Sequence, residues 1–417
     1  MTERKYFNAA VLKAELDGYV LGQDEGARRI AMAVSSHLYR IFAHEHNKDS
    51  RIRKDNVLLA GPTGCGKTET FRVLQRLEEK LGIPVIMRNA PDYTPNDSWK
   101  GEKDLTWLIR DLCKEALDLY RKLHHMPRTE EDFREVCRMA SNGIILLDEF
   151  DKMRIIEQGN TVIFCRDYQA ALLKMTEGSE YPAGSVKLKN HNTGDGDDGG
   201  YELKVDTGSV MFVFLGAFDG MERITRRRLL LARQKEEDKE AEVKENVTGG
   251  IGFTAEIKSV ANKTDSTEKE ELPPGTDLTP NLEDMIEYGI LRELAGRIAI
   301  RVNYKALSVA NIIKIMKECK TSVFFEYQER FENMGHRLIL DNAAFREIAR
   351  MAVERKTGAR GLANIFNDLL SPTMYVLSGT MEPTECLLRG CDIRNKRPPQ
   401  LRKLKKSCKK GGQAVIE

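Results

Sequence analysis

The sequence predicts an α/β protein built on a parallel sheet, followed by a smaller, mostly helical domain. Three observations predict it. Apolar runs at residues 56–60, 83–87, 143–149 and 209–218 alternate with stretches of helical periodicity, and unbroken apolar runs are the mark of strands buried on both faces. The first run ends in a glycine-rich loop that opens a helix, as a βα unit requires. Beyond Ser308 the apolar runs give way to successive helical stretches.

Taken in order, Leu12, Leu16, Tyr19, Val20 and Leu21 precede a turn at Gly22, and the periodic run Ala27 to Tyr39 predicts a helix. A charged loop, Glu45 to Asp55, leads into the strand Asn56 to Ala60. The next residues, Gly61, Pro62, Thr63, Gly64, Cys65, Gly66, Lys67 and Thr68, match G-x-x-x-x-G-K-[ST]. Gly61, Gly64 and Gly66 admit backbone angles closed to other residues, so successive N–H groups can turn inward around an anion. Lys67 adds a positive charge, Thr68 a hydroxyl for Mg²⁺, and the helix beginning near Glu69 points its positive end at the phosphates.

A second strand is predicted at Ile83 to Met87, then a two-proline loop from Pro91 to Asn96, then a helix from Leu105 to Leu123 extended by the polar stretch Pro127 to Ser141. The run GIILLDE, 143–149, places two carboxylates at the end of a buried strand. That position suits Asp148 to hold Mg²⁺ and Glu149 to activate water beside the phosphate loop. A helix over Tyr168 to Met175, a Gly/Asp/Asn-rich loop over Ser185 to Gly200 and a strand over Ser209 to Phe218 follow. Residues 226–280 read as a charged helix candidate followed by a polar loop expected to be mobile. Ser308 is an N-cap, helices run to Met334, a strand covers Arg337 to Leu340, and two helices run from Asp341 to Leu377. Residues 391–417 form a basic tail without periodicity, expected to be disordered. Arg297, after a helix-like run, and Arg360, opening a C-terminal helix, are candidates for stabilising charge on a transferred phosphoryl group, and each reads equally well as a surface arginine.

The 417 residues leave room for more than one core. Lys and Arg number 66 against 64 for Asp and Glu, and a net charge of +2 argues against a nucleic-acid binder. No run approaches the roughly 18 apolar residues of a membrane span. The N-terminus lacks the apolar core of a secretory signal, so a cytoplasmic protein is expected. Eight cysteines without a C-x-x-C pair indicate reduced thiols and no zinc.

Ordered blocks across residues 12–380 resemble the ClpX family of AAA+ unfoldases, which feed the ClpP peptidase; HslU is a more distant relative. The blocks are LDGYVLGQ (16–23), GPTGCGKT (61–68), ILLDEFDK (145–152), ALLKMTEG (171–178), VDTGSVMFVFLGAF (205–218), GGIGF (249–253), YGILRELAGR (288–297) and ERKTGARGL (354–362). The resemblance implies a P-loop AAA+ module with a parallel five-stranded sheet flanked by helices and a smaller, mostly helical C-terminal domain. The implied boundaries are 1–300 for the large ATPase domain, with a charged insertion at about 226–280, 301–390 for the small domain, and 391–417 for the tail. It implies that Val20 and Leu21 line the adenine pocket, Arg297 reaches the neighbouring subunit's nucleotide and Arg360 contacts nucleotide in its own subunit. It further implies ATP and Mg²⁺, a homo-hexameric ring, a ClpP-type peptidase partner, and unfolded or tagged protein substrates, with no membrane role. Trp99, Lys100 and Gly101 correspond to the substrate-gripping pore loop, and Ile251, Gly252 and Phe253 to the loop that docks on ClpP.

The chain departs from the family in several places. It begins almost at the first block, so the N-terminal zinc-binding domain is expected to be missing, and Lys100 replaces an apolar residue. FCRDYQAALLK (164–174) stands where the family has a small, glycine-containing run, and Leu215 stands near a position that is polar in the family. Two rival readings therefore accompany ATP-driven unfolding: a protease-independent remodelling chaperone, and a nucleotide-binding scaffold with little turnover.

Overall fold

The computed structural model describes residues 7–46, 51–95, 103–157, 160–187, 200–247, 272–273 and 276–404. Trp99, Lys100 and Gly101, and Ile251, Gly252 and Phe253, lie outside the described residues. The chain divides into two compact units: Met1–Lys13, Arg28–Pro62 and Phe71–Tyr304 in the first, Ala14–Ala27, Thr63–Thr70 and Lys305–Glu417 in the second.

The first unit is built on a sheet of five strands, β1 (Val57–Ala60), β2 (Val85–Asn89), β3 (Ile144–Asp148), β4 (Met211–Gly216) and β5 (Ile300–Asn303), in the order β2-β3-β4-β1-β5. Every pairing is parallel. The apolar runs become β1 to β4; β1 and β4 are buried at every residue, as strands covered on both faces must be. The fifth strand had no such signature. It lies at the sheet edge, is half-buried at most positions, and carries Arg301 within it.

Helices α1 (Ala9–Asp17), α2 (Asp24–His46), α3 (Lys67–Arg76), α4 (Thr106–Leu123), α5 (Glu130–Ser141), α6 (Ile163–Glu177), α7 (Met221–Val247), α8 (Leu282–Tyr288) and α9 (Arg292–Gly296) alternate with the strands. Leu108 and Leu112 of α4 share one core with Ile86, Ile145, Phe212 and Phe214 of the sheet. The polar stretch after α4 is a separate helix, not an extension. Thr129 accepts the Asp132 N–H at 3.1 Å while the Asp132 carboxylate accepts the Thr129 N–H at 2.9 Å, a capping box that starts α5 afresh. A second capping box, Asn281 with Asp284, starts α8. Buried Asp284 also accepts Arg228 Nε at 2.8 Å and Thr225 Oγ1 at 2.9 Å, which ties α7 to α8.

The predicted loop over Ser185 to Gly200 is flanked by strand at both ends. Glu180–Lys187 pairs antiparallel with Gly200–Asp206, and residues 188–199 lie outside the described residues. Pro182 and Gly184 disguised this hairpin, and the register shifts between them.

In the second unit Ser308 caps α10 (Val309–Glu318), accepting the Asn311 N–H at 3.1 Å, and α11 (Val323–Asn333) follows. Strand β6 (Arg337–Leu340), α12 (Asn342–Glu354) and α13 (Leu362–Ser378) come next. Ile312, Phe331, Ile348 and Phe366 meet in their core. The tail reading is corrected over its first residues. Gly390–Arg394 is a short helix, and β8 (Gln400–Lys403) pairs antiparallel with β7 (Thr384–Leu388), which pairs parallel with β6. The exposed side chains of β8 are mostly polar, so burial left no apolar trace there. Residues 405–417 lie outside the described residues. Among the described residues no helix is long and apolar enough to cross a membrane.

Candidate active site

β1 ends at Ala60, and the loop that follows reaches the start of α3 at Lys67. Gly61, Gly64 and Gly66 take φ of 150°, 73° and 102°, the left-handed region that favours glycine. Space is as limiting as angle. A Cβ on Gly61 would lie 2.6 Å from the Tyr304 carbonyl oxygen, and one on Gly66 would lie 3.1 Å from Val20 Cγ1. Val20 is buried, and Leu21 beside it is half-buried. Lys67 is buried with its Nζ 4.0 Å from Cys65 Sγ. Burial pushes the Cys65 thiol up against the opposing pull of Lys67, so Cys65 fills the loop as a neutral side chain. Such a loop fits a polyphosphate, and the Thr68 hydroxyl at the second position of α3 is of the oxygen type that Mg²⁺ takes.

In the first unit the acid pair sits at the C-terminal edge of the sheet. Leu147 is in register with Phe214 and Leu59 with Leu215, so the ends of β3, β4 and β1 share one edge. Asp148 Oδ1 accepts the N–H of Glu149 at 2.8 Å. Glu149 adopts φ 58° and ψ 27°, a left-handed conformation that a residue with a Cβ holds only at a cost. Its carboxylate is half exposed and 2.6 Å from Lys152 Nζ, which that contact holds above the ordinary lysine range. Leu215, between the two flanking strands, is wholly buried.

Arg297 follows α9 with an exposed guanidinium, 2.7 Å from Glu177 Oε1. Its carbonyl accepts Asn56 Nδ2 at 2.9 Å, while Asn56 Oδ1 accepts the Phe212 N–H at 3.1 Å. Buried Asn56 thus fixes the backbone at Arg297 to β4, a role for which the sequence offered only its place before the first strand. In the second unit Arg360 is exposed in the short turn Gly358–Gly361 that leads into α13. The segment 164–174 belongs to α6, where Tyr168 is buried and Gln169 donates to the Met153 carbonyl at 2.7 Å.

Comparison with known proteins follows the same lines. Residues 53–301 match the family model of the AAA domain (Cdc48 subfamily). The chain is 30% identical to the ATP-dependent Clp protease ATP-binding subunit ClpX of Treponema denticola over 372 residues, which cover 87% of this chain and 76% of that protein. It is 27% identical to ClpX 3 of Methylococcus capsulatus over 404 residues, covering 94% of this chain and 81% of the relative. With ClpX of Azotobacter vinelandii it shares 28% identity over 392 residues, 91% of this chain and 76% of the other. A phosphate loop after the first strand of a five-stranded parallel sheet, matched over most of its length by these relatives, makes this chain an ATPase that belongs to the ClpX-type AAA+ family.

Proposed function

We propose that the protein is a ring hexamer that uses ATP hydrolysis to unfold proteins and pass them to a ClpP-type peptidase. The observation that carries this reading is similarity to ClpX proteins over about nine-tenths of the chain. In this reading the N–H groups of residues 63–68 and the charge of Lys67 bind the triphosphate, with Val20 and Leu21 beside the base. Thr68 and Asp148 would hold Mg²⁺, which when bound neutralises charge on the phosphate oxygens. Glu149 takes the proton from the attacking water. Arg360 stabilises the phosphates from its own subunit, and Arg297, exposed on its own chain, serves the nucleotide of a neighbour.

The reading assigns residues 1–300 to the motor domain and 301–390 to the small domain that moves against it. Trp99, Lys100 and Gly101 grip the substrate by an aromatic surface tolerant of sequence. Ile251, Gly252 and Phe253 dock on the peptidase; each buried apolar side chain contributes about 1.5–3 kcal/mol before ordering costs, and repetition around a ring multiplies it. The test is ATP-dependent degradation of a tagged model protein with and without ClpP, using the full chain and a deletion of residues 249–254. Degradation that needs ATP, ClpP and residues 249–254 supports the reading. Degradation that survives the deletion removes the docking assignment.

A second reading, a remodelling chaperone that works without a peptidase, is favoured by α6. Where the family has a small, glycine-containing run, this chain buries Tyr168 in a helix. ATP-dependent unfolding with no ClpP binding would select it.

A further inference from the structure

The phosphate loop is held from outside at two successive carbonyls. Ala359 N–H donates to Gly64 O at 3.0 Å, and Gln23 Nε2 donates to Cys65 O at 3.2 Å, all within the second unit. In a planar trans peptide the C=O and the following N–H point in opposite directions. Anchoring the carbonyls of Gly64 and Cys65 outward therefore aims the N–H groups of Cys65 and Gly66 inward, the direction an anion cradle needs. Gly64 and Gly358 are pressed together to make the first anchor. A Cβ on Gly358 would lie 2.7 Å from Gly64 O, and one on Gly64 would strike the Thr357 carbonyl.

The second anchor depends on a side chain. Gln23 is 5% exposed, and its carboxamide pairs with both backbone groups of Lys305: Nε2 donates to Lys305 O at 2.7 Å and Oε1 accepts the Lys305 N–H at 3.0 Å. Its orientation is thereby fixed, with the remaining hydrogen of Nε2 left for Cys65 O. Only an amide satisfies both demands, since a carboxylate of the same shape would face two carbonyl oxygens without a hydrogen to donate.

We propose that Gln23 is a positioning residue of the nucleotide site, setting the peptide between Cys65 and Gly66 so that the phosphate loop is formed before ATP arrives. This rests on the reading that residues 61–68 bind the triphosphate. Gln23 does not touch the reacting atoms, so its loss weakens binding of nucleotide in all its states and leaves the chemical step in place.

The test compares the full chain with Gln23→Ala, Gln23→Glu and Lys67→Ala, reading affinity for a fluorescent ADP analogue, ATP turnover, and amide hydrogen exchange without nucleotide. Gln23→Ala should raise the dissociation constant roughly tenfold, the loss of one oriented hydrogen bond. It should raise KM similarly with kcat within about twofold, and speed exchange over residues 63–70 while the sheet strands stay protected. Gln23→Glu should bind worse still and recover only in part as pH falls, since its carboxyl then gains one hydrogen for the two carbonyls. Wild-type affinity in either folded Gln23 variant overturns the proposal. So does loss of the folded state in both, which would make Gln23 part of the framework alone. If Lys67→Ala also binds normally, the phosphate-loop reading itself has failed; if only Lys67→Ala loses binding, the failure is confined to Gln23.

Discussion

Replacing Glu149 separates what its side chain does from what its backbone costs. The residue sits at φ 58° and ψ 27°, where a Cβ crowds the carbonyl at a cost of about 1–2 kcal/mol. Glycine removes that cost but adds about 0.5–1 kcal/mol of chain entropy to be lost on folding, so Glu149→Gly should stabilise the chain by roughly 0.5–1 kcal/mol. Glu149→Gln keeps the strain and loses only the contact with Lys152, whose partners are half exposed at 47% and 58%, so its stability should change by less than about 0.5 kcal/mol. If Glu149 takes the proton, as the proposed function has it, both substitutions should cut ATP turnover roughly 100- to 10,000-fold without abolishing nucleotide binding. The assays are phosphate release under saturating ATP and urea unfolding of the same preparations. Parental turnover in Glu149→Gln would remove Glu149 from the chemistry. A glycine variant no more stable than the glutamine one would show that no strain is stored there.

Other residues give sharper or simpler readouts. Arg297→Ala breaks only an exposed ion pair and should leave the unfolding midpoint nearly unchanged, yet reduce ATP turnover by roughly 1,000-fold or more if its guanidinium serves a neighbouring nucleotide. Asp284→Ala strips Arg228, Thr225 and the start of α8 of their shared acceptor, and should cost about 3 kcal/mol in urea unfolding. Burial raises the Glu78 carboxyl, and a nearby Glu115 adds to the rise; against the Val85 N–H and Lys122 the net result is a value of about 8. The folded chain then holds a proton there that the unfolded chain has released, so stability should fall as pH rises from about 4.5 through 8. Glu78→Gln should flatten that slope in pH-dependent unfolding.

Much of this was legible because burial and chemistry leave different traces. Strands covered on both faces are poor in charge, so β1, β3 and β4 stood out as apolar runs, as did the buried start of edge strand β2, and Asp148 and Glu149 were conspicuous by ending one of them. Edge elements escape that rule. β5 and β8 are only partly covered and read as polar chain, and the hairpin at Glu180–Lys187 was masked by Pro182 and Gly184. The helices of the second unit were recovered nearly whole: Ser308 caps the first as expected, and Asp341, where the later pair was read to begin, proves to be a cap as well. What periodicity cannot carry is a single side chain satisfying backbone groups far away in the chain. Asn56 and Gln23 each do so, across more than 150 and 280 residues respectively, and nothing in their neighbours announces it.

Leu215 has a consequence of its own. On the central strand, level with Leu59 and enclosed on every side, it offers only hydrocarbon. The middle of the sheet therefore acts as a stiff, indifferent floor. Under the proposed function, telling the nucleotide before cleavage from the one after then falls to other groups, such as the carboxylates at the end of β3, rather than to the middle of this strand.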